Sequence, residues 1–226
     1  MLSAVRSIPA RALLAVGLFA AFLTITPASI QAADSRPIAI AAARSLPLGT
    51  VVTVEGSVTV PSGDFASSFF DEGFAVQDRT AGIYVSMADN LGLRLRDKAR
   101  VTGTLADSGG LLVLIPGSDS DVSVHGRSPE VEPEWVETGS IGEATEGRIV
   151  KVVGTITSTE ADPPFGNKVF VDDGSGVIRI FVNLGTGIDV SHLAAGQRIS
   201  VTGFSGQFID YEIDPRFPSD IRRPRH

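Results

Sequence analysis

Cysteine is absent from this 226-residue chain, and histidine is nearly so, with only His125, His192 and His226. The first absence excludes disulfide staples, thiolate metal ligands, a cysteine nucleophile and a lipid-bearing cysteine. The second leaves no two histidines at metal-ligand spacing, and no Gly-x-Ser-x-Gly elbow supplies a serine nucleophile. Adjacent carboxylates do occur, at Asp71–Glu72 and Asp172–Asp173. Both pairs stand in or beside turns, where acids are favoured for the backbone hydrogen bonds they accept. The expectation is a protein that is not an enzyme, with no catalytic residues, no metal ligands and no cofactor. Positive charge is also short: 19 Lys and Arg against 26 Asp and Glu give a formal charge of −7. An acidic body weakens the case for tight non-specific binding of nucleic acid, which rests on phosphate contacts, but leaves room for a local basic patch.

One long apolar run is present. Residues 12–25 follow Arg6 and Arg11 and precede Pro27 and the small residues of "ASIQAA". Such a run is short for a membrane span, so residues 1–33 read as a signal peptide with cleavage after Ala32 or Ala33. Kept uncleaved, the same run would be an anchor. The expected product is exported, to the periplasm or beyond, and has no membrane span after cleavage. Losing Arg6 and Arg11 moves its formal charge from −7 to −9.

The remaining chain repeats itself. "GTVVTVEGSVT" from Gly49 matches "GRIVKVVGTIT" from Gly147, and both carry Val-x-Val-x-Gly. "VQDRTAGIYV" from Val76 matches "VDDGSGVIRI" from Val171, and "VTG" recurs at Val101 and Val201. Three blocks in one order indicate a tandem duplication. Within each copy, short segments alternate apolar and polar residues between clusters of Gly, Pro, Asp and Ser. They predict strands near 50–60, 73–78, 82–87, 98–105 and 111–116, and again near 148–158, 168–173, 177–183, 197–204 and 207–213. A longer segment joins strands three and four in both copies, and "SHLAAG" (191–196) has the capping residues of a short helix.

The fold class expected is therefore all-β, with two tandem five-stranded OB-fold-like Greek-key barrels. Each has a short helix or irregular segment between strands 3 and 4. An immunoglobulin-like sandwich would need about seven strands per copy. The Pro-rich stretch 128–133 marks the boundary, giving domains at 34–128 and 129–226. "PIAIAAARSLPLGTVVTVEGSVTV" followed by "FAVQDRTAGIYV" resembles the bacterial secreted OB-fold modules that accompany extracellular nucleases. The second copy is similar but carries Asp172 where the first has Gln77. The resemblance implies the barrel fold and, by association, nucleic-acid binding.

Two groups of residues are candidate binding sites. In copy two, period-two alternation sends Val169, Val171, Ile178, Ile180 and Val182 inward and Lys168, Phe170, Arg179 and Phe181 outward. Two rings beside two cations on the second and third strands suit stacking of a base or sugar next to an anionic group. The matching outward residues of copy one are Ala75, Gln77, Tyr84 and Ser86, from which Tyr84 joins as a third stacking ring. The alternative is that these rings are covered by the other barrel. The second group is "RLRDKAR": if extended, it sets Arg94, Arg96 and Lys98, with Arg100, on one face to track phosphates. Otherwise those cations are a solvated strand face that discourages edge pairing. The Arg-rich tail from Arg216 reads as a frayed terminus. "VDDGSG" lacks the ligand series of a calcium loop and the Lys of a phosphate loop, and reads as a hairpin turn. The ligand expected is single-stranded nucleic acid or a similar extended polymer, with an oligosaccharide or an envelope protein as the alternative partner.

Overall fold

The computed structural model describes residues 36–224; the signal segment read at 1–33 lies outside them, as do Arg225 and His226. Five strands, β1 (Val51–Val60), β2 (Phe74–Gln77), β3 (Gly82–Val85), β4 (Asp97–Ser108) and β5 (Leu111–Ile115), run in the order β1-β2-β3-β5-β4. β4 pairs back onto β1 and closes a barrel, and only β3 and β5 are parallel within it. β6 (Val122–Arg127) extends β4 at its edge. The second sheet contains β7 (Glu134–Trp135), β8 (Ile149–Asp162), β9 (Gly166–Asp172), β10 (Val177–Asn183), β11 (Arg198–Phe208), β12 (Asp210–Asp214) and β13 (Ile221–Arg222). It closes in the same way, β8-β9-β10-β12-β11 with β11 on β8, and β10–β12 is the parallel pair. The chain is thus all-β, with two OB-like barrels that share one topology.

Each barrel has its own core. Val52, Val54, Val76, Ile83, Val101 and Leu114 fill the first, and Val152, Ile156, Val171, Ile180, Val201 and Ile213 fill the second. These are the inward positions of the alternating strands. Gly56 and Gly154, the glycines of the repeated Val-x-Val-x-Gly, stand where the first strand crosses the second. A Cβ at Gly56 would lie 2.8 Å from the Gln77 carbonyl oxygen, and one at Gly154 would lie 2.8 Å from that of Asp172. The repeated glycine is therefore a matter of space. Between strands three and four, residues 86–96 are irregular and the second copy has a single 3-10 turn at Leu184–Thr186. "SHLAAG" forms tight turns rather than a helix. A short helix, α1 (Ile40–Arg44), precedes β1. Among the described residues no helix is long and apolar enough to cross a membrane.

The barrels meet along a seam with its own apolar cluster. A β-bulge between Val58 and Val60 turns Val60 out of the first core. Val60 joins Phe65, Ala75, Tyr84, Leu111 and Val113 of barrel one against Ile149 and Phe204 of barrel two. Polar contacts cross the seam: Gln77 Oε1 accepts from the Ile149 amide at 2.9 Å, and Arg44 bonds the buried Glu146 at 2.9 Å. Arg216 reaches back to the Thr59 carbonyl at 2.8 Å, and Arg148 donates to that of Thr80. Backbones touch at Gly82 and Gly147, where a Cβ on Gly82 would lie 1.8 Å from the Gly147 carbonyl oxygen. The tail read as frayed is tied down: Arg216 is largely buried, and β13 pairs with β11.

Because neither backbone at that contact can yield cheaply, Gly82→Val should force the seam apart at a cost of about 2 kcal/mol or more. We expect a lower melting temperature and faster proteolytic cutting between residues 128 and 133. A variant that melts and resists protease like the parent would show that the barrels do not depend on this contact.

Candidate functional site

The β9–β10 register sets Phe170 beside Arg179 and Lys168 beside Phe181, all four outward, as the alternation requires. β12 lies parallel to β10 and brings Glu212 next to Arg179. This face forms one wall of a cleft of about 480 Å³ whose other wall is the β1–β2 connection of barrel one. Phe70 from that connection and Phe165 from the β8–β9 turn face each other with ring centroids 6.0 Å apart. Phe208 and Ile209, in the β11–β12 turn, complete the rim. Phe70 is 76% exposed, Ile209 75%, Phe208 50% and Phe165 48%. Phe70 and Ile209 also hold positive φ angles, 56° and 66°, which side chains other than glycine rarely adopt. Backbone strain and exposed apolar surface coincide at this rim, and such strain tends to persist where a ligand is handled.

The electrostatics differ from those expected. Arg179 is tied to the protein: Nε donates to Glu212 at 2.7 Å, and one terminal nitrogen donates to the carbonyls of Phe208 and Asp210 at 2.8 and 3.2 Å. Lys168 pairs with Asp162 at 3.0 Å. Against these two cations the cleft carries Asp162, Asp210, Glu212 and Asp214. Burial raises the Glu212 carboxyl to about 7 in spite of Arg179 beside it. Burial also pushes Asp214 well above the ordinary range, reinforced by the neighbouring Glu212 charge, and no hydrogen bond holds its charged form. Burial thus biases both carboxyls toward their protonated forms. With rings at the rim and carboxyls at the base, the cleft suits a flat or ring-bearing group that offers hydrogen-bond donors. It offers no free cation to a phosphate.

Of the predicted site residues, Lys168, Arg179 and Phe181 line this cleft together, while Phe170 is half-buried and does not. Tyr84 needs correction. It is fully buried in the seam, where it stacks near Phe65 and Phe204 and donates to Asp71 at 2.8 Å. The outward face of barrel one is covered by barrel two, so Tyr84 lies beneath the cleft and cannot stack on a ligand. The basic run is also broken. β4 begins at Asp97, and Arg94 and Arg96 precede it in a turn, Arg96 at φ 70°. Only Lys98 and Arg100 share the strand face, and both are bound to Glu55, at 2.6 and 2.9 Å. Those contacts hold the Glu55 carboxyl below its ordinary range.

The "VDDGSG" stretch closes the β9–β10 hairpin. Asp173 accepts from Ser175 and from Thr138 in the 3-10 turn at Thr138–Ser140, which keeps its carboxyl well below the usual range. The equivalent Asp78 accepts from Thr80, Ala81 and the Ile40 amide. Both acids bind the hairpin turn to the segment that precedes the first strand of their barrel. Among the described residues no three His, Cys, Asp or Glu side chains are grouped to hold a metal. The rim residues escaped the sequence reading because they lie in turns. A Phe-Ile pair at Phe208–Ile209, where a two-strand turn ordinarily carries Gly, Asn or Asp, was the available signal.

No protein-family model matches the chain. It is similar to Endonuclease YhcR of Bacillus subtilis (strain 168), with 25% identity over 190 residues. The match takes in 77% of this chain but only 15% of that protein's length. Among solved structures it is similar to a murine DNA-binding protein bound with ds DNA, at 12% identity and a TM-score of 0.39, covering 77% of this chain and 97% of that one. It is also similar to a replication protein A heterotrimer bound to ssDNA, at 12% identity and a TM-score of 0.31, covering 76% of this chain and 48% of that one.

The raised carboxyls of the cleft have a consequence for stability. An acid whose folded pKa lies above its unfolded one takes up a proton on folding, so stability falls as pH rises through that interval. For Glu212 the interval runs from 4.5 to about 7. Asp214→Asn removes the second charge, so its melting temperature should fall less steeply across this range and exceed the parent's above it. Thermal melts at several pH values test this, and an unchanged slope would contradict the reading of the pair.

Proposed function

We propose that this chain is a non-catalytic module that binds single-stranded nucleic acid, with an unpaired base entering the cleft between the barrels. The observation that carries the reading is the strained aromatic rim, Phe70, Phe165, Phe208 and Ile209, above a base of carboxyl groups. A base slots between the rings by stacking, and Glu212 and Asp214 meet the amino and imino donors of its edge. A paired base has its edge engaged and its faces covered, so the cleft selects for single strands. The similarity to part of an endonuclease supports the same ligand class, with this module holding the polymer rather than cutting it. The same rings and carboxyls would also suit a sugar, whose hydroxyls donate to carboxylates, and this is the second reading. The chain is further proposed to be exported, since residues 1–33 have the composition of a signal segment.

Anisotropy titration with labelled single-stranded, duplex and oligosaccharide probes separates these readings. Single strands should bind best, and Phe165→Ala and Phe208→Ala should each weaken binding about tenfold, in line with one lost stack. Tyr84→Phe should leave affinity unchanged while lowering stability by about 1–3 kcal/mol, because it strips a donor from the buried Asp71. Equal binding of duplex, or indifference to both Phe variants, would overturn the proposal. N-terminal sequencing of the secreted product should begin at residue 33 or 34; retention of the full leader would refute export with cleavage.

A further inference from the structure

A second groove, of about 330 Å³, lies on the β8–β11–β13 face of barrel two, beside the Arg94–Arg96 turn of barrel one. Its chemistry is the reverse of the cleft's. Lys151 on β8 has no ion-pair partner among the described residues, and its Nζ stands 4.3 Å from the ring centroid of Trp135. Trp135, the one tryptophan of the chain, is 66% exposed. Across the sheet, Thr202 pairs with Lys151 and Ser200 with Arg222, so two hydroxyls stand between two cations. Arg222 spends only its Nε, on the Ser219 carbonyl. Two strand spacings separate Lys151 from Arg222, roughly 10 Å, which leaves room for a phosphate between them. Two acids, Glu130 and Asp220, also line the groove, but Asp220 is bound by Arg216 through its backbone amide, Nε and a terminal nitrogen. From barrel one comes Leu95, whose carbonyl accepts from Arg127 at 3.0 Å and whose chain neighbours Arg94 and Arg96 are exposed.

We propose that this groove binds the phosphodiester backbone of the strand, with Lys151 and Arg222 on phosphate oxygens, Ser200 and Thr202 donating between them, and Trp135 stacking at its edge. The proposal rests on the nucleic-acid reading only for the identity of the polymer. An exposed arginine and a half-buried, unpaired lysine beside hydroxyls and an exposed indole, on a chain of net charge −7, are a local anion site that the bulk charge conceals. The arrangement also supplies what the cleft lacks, a place for the phosphates.

Trp135 makes the test direct, since the one tryptophan of the chain stands against Lys151 of this groove. An abasic phosphodiester oligomer should change that emission saturably, with an affinity that falls as salt rises. Lys151→Gln and Arg222→Gln should each reduce the slope of log affinity against log salt by about 0.7, for the abasic and the base-bearing oligomer alike. Lys151→Arg should restore it. Phe165→Ala should weaken only the base-bearing oligomer and leave the slope intact. An unchanged slope in both Gln variants would overturn the groove even if cleft binding stands. Equal binding of the abasic and base-bearing oligomers by the parent protein, with the slope retained, would overturn the cleft and leave the groove. Tighter binding of heparin than of the abasic oligomer at equal charge would overturn the assignment to phosphodiesters.

Discussion

The packing of Tyr84 and Phe65 against Phe204 is the interaction on which the functional surface depends. Two barrels of one topology would each expose the same strand face, and here the seam consumes the first. The Tyr84 hydroxyl is satisfied internally by Asp71 and the Phe65 carbonyl, so its burial leaves no polar debt and its ring is committed to the interface. What remains is the equivalent face of barrel two, bounded on its open side by the β1–β2 connection that the seam holds in place. The cleft is therefore a property of the pair of barrels, since Phe70 and Phe165 come from different ones.

The charges inside the cleft follow from the same enclosure. Burying Glu212 and Asp214 on one strand is offset by Arg179, which bridges Glu212 and two carbonyls at the adjoining turn. Arg179 thus holds the β11–β12 turn, and with it Phe208 and Ile209, in position. It is a structural cation in a recognition surface. An unpaired positive charge in this space would attract phosphate, whereas the paired one leaves only carboxyl groups to meet a ligand.

Much of the fold was legible in the residues. The alternation of β-branched positions and the recurring Val-x-Val-x-Gly placed every barrel strand within a few residues, since both reflect local constraints of pleat and close backbone approach. The site was legible in part. Lys168, Arg179 and Phe181 were found because strand alternation predicts direction. Their partners Asp162 and Glu212 were not, because alternation gives a side chain's direction and not the strand register that sets a salt bridge. Tyr84 was misplaced for a related reason: alternation says which way a side chain leaves its own barrel, and nothing about what stands outside. Arg94 and Arg96 failed on backbone conformation, since a left-handed residue at Arg96 ends the period-two pattern one position before β4. Lys151, Trp135 and Arg222 sit on three separate strands, and only the sheet order sets them side by side.

Net charge is a poor guide to such a molecule. The formal −7 is spread over a surface where half of the cations among the described residues are paired at contact distance, among them Lys98 and Arg100 on Glu55, Lys168 on Asp162 and Arg179 on Glu212. Within a Debye length of about 8 Å at physiological salt, what a polyanion meets is the local balance rather than the sum. Lys151 and Arg222 have no ion-pair partner among the described residues, and Asp220 in their groove is already held by Arg216. Pairing thus decides where an acidic protein can accept an anion, and it separates a cleft suited to rings from a groove suited to phosphates on the same barrel.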